Sequence, residues 1–150
     1  MIFRQATHNA LPALLALEQA VVEAERPFND AIKPNSATYY DLPDLIDSEQ
    51  SLLLVAEQEG EVVATGYGQI RPSKASLIHE SHCYLGFMFV APHFRGKGLN
   101  QQILDKLIVW SKSLDVNHFY LDVYAQNHAA IRAYEKAGFT SNMIEMKLSL

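Results

Sequence analysis

The order of elements in this sequence predicts a mixed α/β or α+β fold on one central sheet. Two observations carry that expectation. Runs of branched and aromatic residues with strand character are interleaved with apolar stripes at helical spacing. No repeat, low-complexity tract or linker divides the 150 residues, so one domain over residues 1–150 is expected. Apolar residues make up 49% and charged residues 19%, enough for one sizeable core.

Ile2–Ala6 is expected as a short strand. Leu11–Glu25 is expected as a helix, with Leu11, Leu14, Leu15, Ala20, Val21 and Val22 on its apolar stripe and Pro12 in its first turn. Arg26-Pro27-Phe28-Asn29-Asp30 should end it as a loop. Ser36–Glu49 is expected to be helical, interrupted near Pro43. Leu52–Glu57 and Val62–Ile70 are expected to form a hairpin turning at Glu59-Gly60. Tyr84–Val90 is dense in aromatic and branched residues and is expected as a buried strand. Gly98–Leu114 is expected as a helix facing inward through Leu99, Ile103, Leu104, Leu107, Ile108 and Val109. Phe119–Tyr124 is expected as a strand, His128–Ala137 as a helix closed by Gly138, and Met143–Leu148 as a last strand.

Composition excludes several function classes. The net charge is −5, and no stretch is rich in Lys or Arg, which argues against nucleic-acid binding. No apolar run approaches the roughly 20 residues that a membrane span requires. The first residues lack a basic start followed by an apolar stretch, so no secretory signal is expected. With Cys83 as the only cysteine, these features predict a cytoplasmic protein. The charge is uneven. The first fifty residues hold Arg4, Arg26 and Lys33 against eight acids, and the other hundred balance. Glu18, Glu23, Asp44, Asp47 and Glu49 are expected on solvated helix faces. The alternative is an acidic region that favours a cationic partner.

Between the Tyr84–Val90 strand and the helix from Gly98 lies Ala91-Pro92-His93-Phe94-Arg95-Gly96-Lys97-Gly98. The first amides of a helix lack intrahelical partners and sit at the positive end of its dipole, which favours an anion. Gly96 and Gly98 allow close backbone approach, and Arg95 and Lys97 add positive charge. The segment fits a phosphate or pyrophosphate cradle, or a strand-to-helix turn whose glycines serve geometry alone. A dinucleotide fingerprint is absent, because Gln101 stands where its third glycine would be. A P-loop is absent too, because Leu99-Asn100 follow Gly98. Further on, Asn127 can cap the next helix, and Ala130 and Tyr134 lie one turn apart on it. Tyr134 by itself also suits an amphipathic core position.

The two segments together resemble the GNAT superfamily of acetyl-coenzyme-A-dependent N-acyltransferases. The family's loop pattern, Gln/Arg-x-x-Gly-x-Gly/Ala, corresponds to Arg95-Gly96-Lys97-Gly98-Leu99-Asn100, departing at Asn100, where a small residue is usual. Its later pattern, Asn-x-x-Ala-x-x-x-Tyr-x-x-x-Gly-Phe, corresponds to Asn127, Ala130, Tyr134, Gly138 and Phe139. The specific match spans roughly residues 84–139. The resemblance implies a mostly antiparallel central sheet with one splayed parallel strand pair, flanked by about four helices.

It also implies a site. The pantetheine arm of acetyl-coenzyme A would lie between the Tyr84–Val90 and Phe119–Tyr124 strands, near the main chain of Phe89 and Val90. The pyrophosphate would sit over Arg95, Gly96, Lys97, Gly98, Leu99 and Asn100. Ala130 would contact the cofactor, Asn127 would orient the arm or Tyr134, and Tyr134 would protonate or hydrogen-bond the departing thiolate. Candidate bases for the acceptor amine fall near the strand start, at Glu80, His82 and Tyr84; water is the alternative proton carrier. His79, His82 and Cys83 lack the second ligand pair of a zinc site, so no metal is expected.

The loop after the first helix would border the acceptor. Glu25, Phe28, Asp30 and Tyr39 there suit a cationic amine, or form a solvated loop packed on Phe28. A non-catalytic coenzyme A sensor and a transferase of longer acyl groups are the competing functions. Monomer and homodimer are both compatible with the sequence.

Overall fold

The computed structural model describes residues 1–150. Five strands, β1 (Ile2–Gln5), β2 (Ser51–Gln58), β3 (Glu61–Pro72), β4 (Ser81–Val90) and β5 (Phe119–Tyr120), form one sheet in chain order. Neighbours from β1 to β4 are antiparallel, whereas β4 and β5 are parallel. Four α-helices accompany them: α1 (Leu11–Glu25), α2 (Leu42–Asp47), α3 (Leu99–Ser113) and α4 (His128–Lys136). No helix is long and apolar enough to cross a membrane.

Period-two alternation along β2 divides the core in two. Leu53 and Val55 face α1 and α2, meeting Leu14, Val21, Leu42 and Leu45. Leu54 and Ala56 face α3, meeting Ile103, Leu104 and Leu107. On β4, Cys83 and Leu85 join the α3 side, but Phe87 joins the α1 side. A bulge explains the switch: Gly86 pairs with Tyr67 and Phe89 with Thr65, while Phe87 adopts a left-handed φ of 53°. The extra residue flips every side chain beyond it to the other face.

Several expectations are corrected. Helix in the 36–49 region is confined to Leu42–Asp47, because Pro43 stands at its second position and starts the helix instead of interrupting it. Leu15 and Val109 are exposed. Glu18, expected in solvent, is 1% exposed. Its Oε2 accepts hydrogen bonds from the Tyr39 and Tyr40 amides at 2.8 and 2.9 Å, so a buried carboxylate anchors the α1–α2 loop. The Tyr84–Val90 strand begins earlier, at Ser81, and is alternately rather than continuously buried. Pairing in the Phe119–Tyr124 region ends at Tyr120. Residues 143–148 form no strand; Met143, Ile144, Met146 and Leu148 are exposed.

Candidate active site

The parallel pair holds register only at Cys83↔Phe119 and Tyr84↔Tyr120. Beyond these residues, β4 runs on to Val90 while the chain after Tyr120 leaves the sheet. The two segments therefore part beyond Tyr84, alongside the β4 bulge at Phe87.

That helix start is a concentration of free donors. Gly98 caps α3 in a left-handed conformation, φ 78°, and Gly96 has φ 77°; a side chain at either would be strained. A Cβ built on Gly96 or Gly98 would meet nothing within 4 Å, so the surface above them is open. The first main-chain bond into the helix is Gln102 N–H to the Gly98 carbonyl, 3.0 Å. The six amides from Gly96 to Gln101 donate to no protein acceptor, and no side chain caps them. This is the arrangement that binds an anion at a helix N-terminus. Leu99, 5% exposed, anchors the first turn in the core. Lys97 Nζ lies 5.4 Å from the Phe94 ring centre. Arg95 turns back onto the strand end: its Nε donates to the Val90 carbonyl at 2.9 Å, and its guanidinium stands over Phe89. Arg95 thus fixes the end of β4 and the loop that follows.

Tyr134 is half-buried on α4, edge-on to Phe139 at 5.7 Å. Burial raises its phenol above the ordinary value, and the nearby Asn100 side chain draws it down by less. Asn100, the departure from the family pattern, thus stands at the start of α3 near the α4 phenol. Asn127 Oδ1 accepts from the Ala130 amide at 3.3 Å, so Asn127 is a helix cap and its acceptor oxygen is already engaged.

At the other end of β4, the sequence candidates are joined by partners that spacing did not reveal. Ser73 Oγ lies 3.1 Å from His82 Nδ1 and 2.7 Å from His79 Nδ1. His79 Nε2 in turn lies 2.9 Å from the Tyr120 hydroxyl, and its ring stacks on His118 at 4.2 Å. Burial, then the neighbouring His79 and Arg71 charges, push the His82 imidazole down. Tyr84 is engaged differently. Its hydroxyl donates to Asp122 Oδ2 at 2.8 Å across the strand gap, and the Arg71 guanidinium sits 4.0 Å above its ring. Burial and the Asp122 carboxylate hold its phenol far above the ordinary range. Glu80 is exposed; its carbonyl accepts from the Ser73 amide at 2.8 Å. No group of three or more ligating side chains is placed to hold a metal.

The α1–α2 loop reaches the same gap. Phe28 stacks on Tyr124, centres 6.1 Å apart, and Asn29 Nδ2 donates to the Tyr124 hydroxyl at 2.9 Å. An aromatic wall runs from Tyr39 through Tyr40 and Tyr67 to Tyr84, at centre distances of 5.7, 6.0 and 6.4 Å. Burial raises the Glu25 carboxyl; the nearby Tyr39 hydroxyl draws it down by less. That hydroxyl is buried and meets no partner at hydrogen-bond geometry. Asp30 is exposed, with its Oδ1 3.3 Å from Lys147 Nζ. A separate cleft beside Ala13, Leu17 and Glu61 lies at the β1 edge, far from the strand gap.

The chain belongs to the acetyltransferase (GNAT) family, whose model matches residues 18–139. It is 27% identical over 94 residues to the uncharacterized N-acetyltransferase YhfO of Bacillus subtilis, covering 63% of this chain and 62% of that protein. Its fold matches a tetramutant of the BH1408 protein from Bacillus halodurans, with a TM-score of 0.87, 24% identity and full coverage of both chains. It also matches a predicted acetyltransferase from Clostridium acetobutylicum solved with acetyl-CoA, with a TM-score of 0.76 and 18% identity over 99% of this chain and 95% of that one.

Proposed function

We propose that this protein is an N-acetyltransferase that moves an acetyl group from acetyl-coenzyme A to a primary amine by direct attack in a ternary complex. The observation that carries the proposal is the six unpaired amides from Gly96 to Gln101, set at the mouth of the β4–β5 gap. An anion of diphosphate size suits such a cradle, where main-chain donors and the helix dipole act together. When bound, acetyl-coenzyme A supplies an activated thioester. The free edge of β4 beyond Tyr84 offers main-chain groups along which an extended arm can lie.

Tyr134 keeps its proton at neutral pH as any phenol does, and burial raises its pKa further. Its Oη is therefore a donor for a departing sulfur, a general-acid role. His82 is biased toward its neutral form and is the acceptor for the amine proton. The Ser73–His79–Tyr120 chain offers that proton an onward path. Tyr84 and Glu80 drop out as the preferred base. Tyr84 is held protonated by Asp122, and Glu80 makes no side-chain contact with the chain that leads from His82. The aromatic wall from Tyr39 to Tyr84, with Glu25 at one end and Asp122 at the other, suits a cationic amine with an apolar stem.

Thiol release from acetyl-coenzyme A over a panel of polyamines, aminoglycosides, lysine peptides and amino acids tests the proposal. Turnover with cationic amines is expected. Preference for an anionic amine contradicts the acceptor assignment. Binding of the thioester without turnover on any amine favours a non-catalytic sensor.

A further inference from the structure

Arg71 stands at the end of the tyrosine wall with no anion to neutralise it. Its Nε donates to Gln69 Oε1 at 2.8 Å, and its guanidinium lies 4.0 Å over the Tyr84 ring. Its two terminal nitrogens donate to no protein acceptor, and it forms no ion pair. Arg4 and Arg26, by contrast, each hold a glutamate. A half-buried guanidinium without a carboxylate is out of keeping with a chain of net charge −5. The Gln69 contact engages the Nε edge and leaves the planar fork of Nη1 and Nη2 for a ligand. Such a fork matches a carboxylate through two parallel hydrogen bonds.

The surroundings define the rest of that ligand. Arg71 lies opposite His82 in the β3–β4 register, beside the group proposed to take the amine proton. At the far end of the Tyr84 side chain, Asp122 Oδ2 accepts from the hydroxyl at 2.8 Å, and Asp122 Oδ1 has no partner. A cation and an anion thus flank one tyrosine without pairing with each other: Arg71 over its ring face, Asp122 at its hydroxyl. We infer that the acceptor is an α-amino acid with an apolar side chain, its carboxylate held by Arg71, its amino group facing Asp122 and its side chain on the tyrosine wall. This assignment rests on the acetyltransferase reading and narrows it. The acceptor keeps a cationic head and an apolar stem and gains a carboxylate, so its net charge is zero. A polyamine would set a second ammonium beside the Arg71 cation, and a phosphate would turn a second negative charge toward Asp122; both are repulsive. In the transfer, the amine nitrogen gains the acetyl carbon as the C–S bond breaks, His82 takes the amine proton and Tyr134 supplies one to the sulfur. The products are an N-acetyl amino acid and the free thiol.

Thiol release by the full chain with phenylalanine, phenylalaninamide and phenethylamine tests this. The three share the ring and the amine, and only the first carries a carboxylate. Phenylalanine should have the highest kcat/KM, by about thirtyfold over either of the others. Amide or phenethylamine turned over as well as phenylalanine overturns the inference and leaves the acetyltransferase reading standing. Arg71→Gln should lower the phenylalanine-to-phenethylamine ratio of kcat/KM about thirtyfold. A variant that lowers both in the same proportion, as lost packing over Tyr84 would, also overturns it. If no amine is turned over, the acetyltransferase reading fails, and calorimetry of phenylalanine on the coenzyme-A-loaded protein decides the site. Saturable binding that Arg71→Gln weakens about thirtyfold supports the carboxylate site. No binding, or binding that the variant leaves unchanged, overturns it.

Discussion

The two ends of the strand gap are built from different material. At the α3 end, the surface proposed to hold the cofactor is main chain: six successive amides on two left-handed glycines. At the proposed acceptor end it is side chain: the His82–Ser73–His79–Tyr120 chain, the Tyr84–Asp122 pair and a wall of tyrosines. A main-chain cradle depends on local conformation and tolerates many side chains. A side-chain network depends on which distant residues the fold brings together, and so it can be specific to one acceptor. Tyr134 lies between the two, carried by α4 and near Asn100 at the start of α3.

That division can be broken at its joint first. Tyr134→Phe removes the proton and keeps the ring. The turnover number should fall by about 10²–10⁴, with acetyl-coenzyme A affinity by calorimetry within about threefold. Equal losses in both would make the residue a binding group only.

The next effect belongs to the acceptor end. Glu18→Ala leaves the Tyr39 and Tyr40 amides without their buried acceptor and should cost about 3 kcal/mol in chemical denaturation. It should raise the amine KM more than the acetyl-coenzyme A KM. Glu18→Gln, whose amide oxygen can still accept, should recover most of the stability.

The cradle responds differently. Gly98→Val forces a branched residue into a left-handed position, at about 1–2 kcal/mol. It should also weaken acetyl-coenzyme A binding roughly thirtyfold by crowding the close approach. An unchanged affinity beside a lowered Tm would show that the glycine serves only the turn.

The smallest expected effect concerns pH. The His82 pKa lies below its usual 6.5, so the neutral, proton-accepting form dominates at neutral pH and is lost as pH falls through that depressed value. The rate should therefore fall on the acid side, below 6.5. His82→Gln should lower kcat about tenfold and abolish that limb. A limb that survives in the variant would assign the proton to another group.

Legibility in the sequence followed the same division. The run of free amides rests on consecutive residues, so the glycine spacing at Gly96 and Gly98 pointed to it, as the apolar period disclosed α1 and the Glu59-Gly60 turn its hairpin. Asn127 was recognisable as a cap. Asp122, Ser73 and Tyr120 carried no local signal, because their roles come from pairing β3, β4 and the chain after β5. Glu18 looked solvated because charge alone does not reveal two amides arriving from a loop about twenty residues away. Residues 143–148 have the alternation of a strand, but alternation specifies a face and not a partner.

Amide NMR during titration with coenzyme A tests the central claim most directly. The account predicts that the largest shifts fall on the consecutive amides Gly96 to Gln101, with slowed hydrogen exchange there at saturation. Saturable binding whose largest shifts lie elsewhere, or no binding at all, would contradict it.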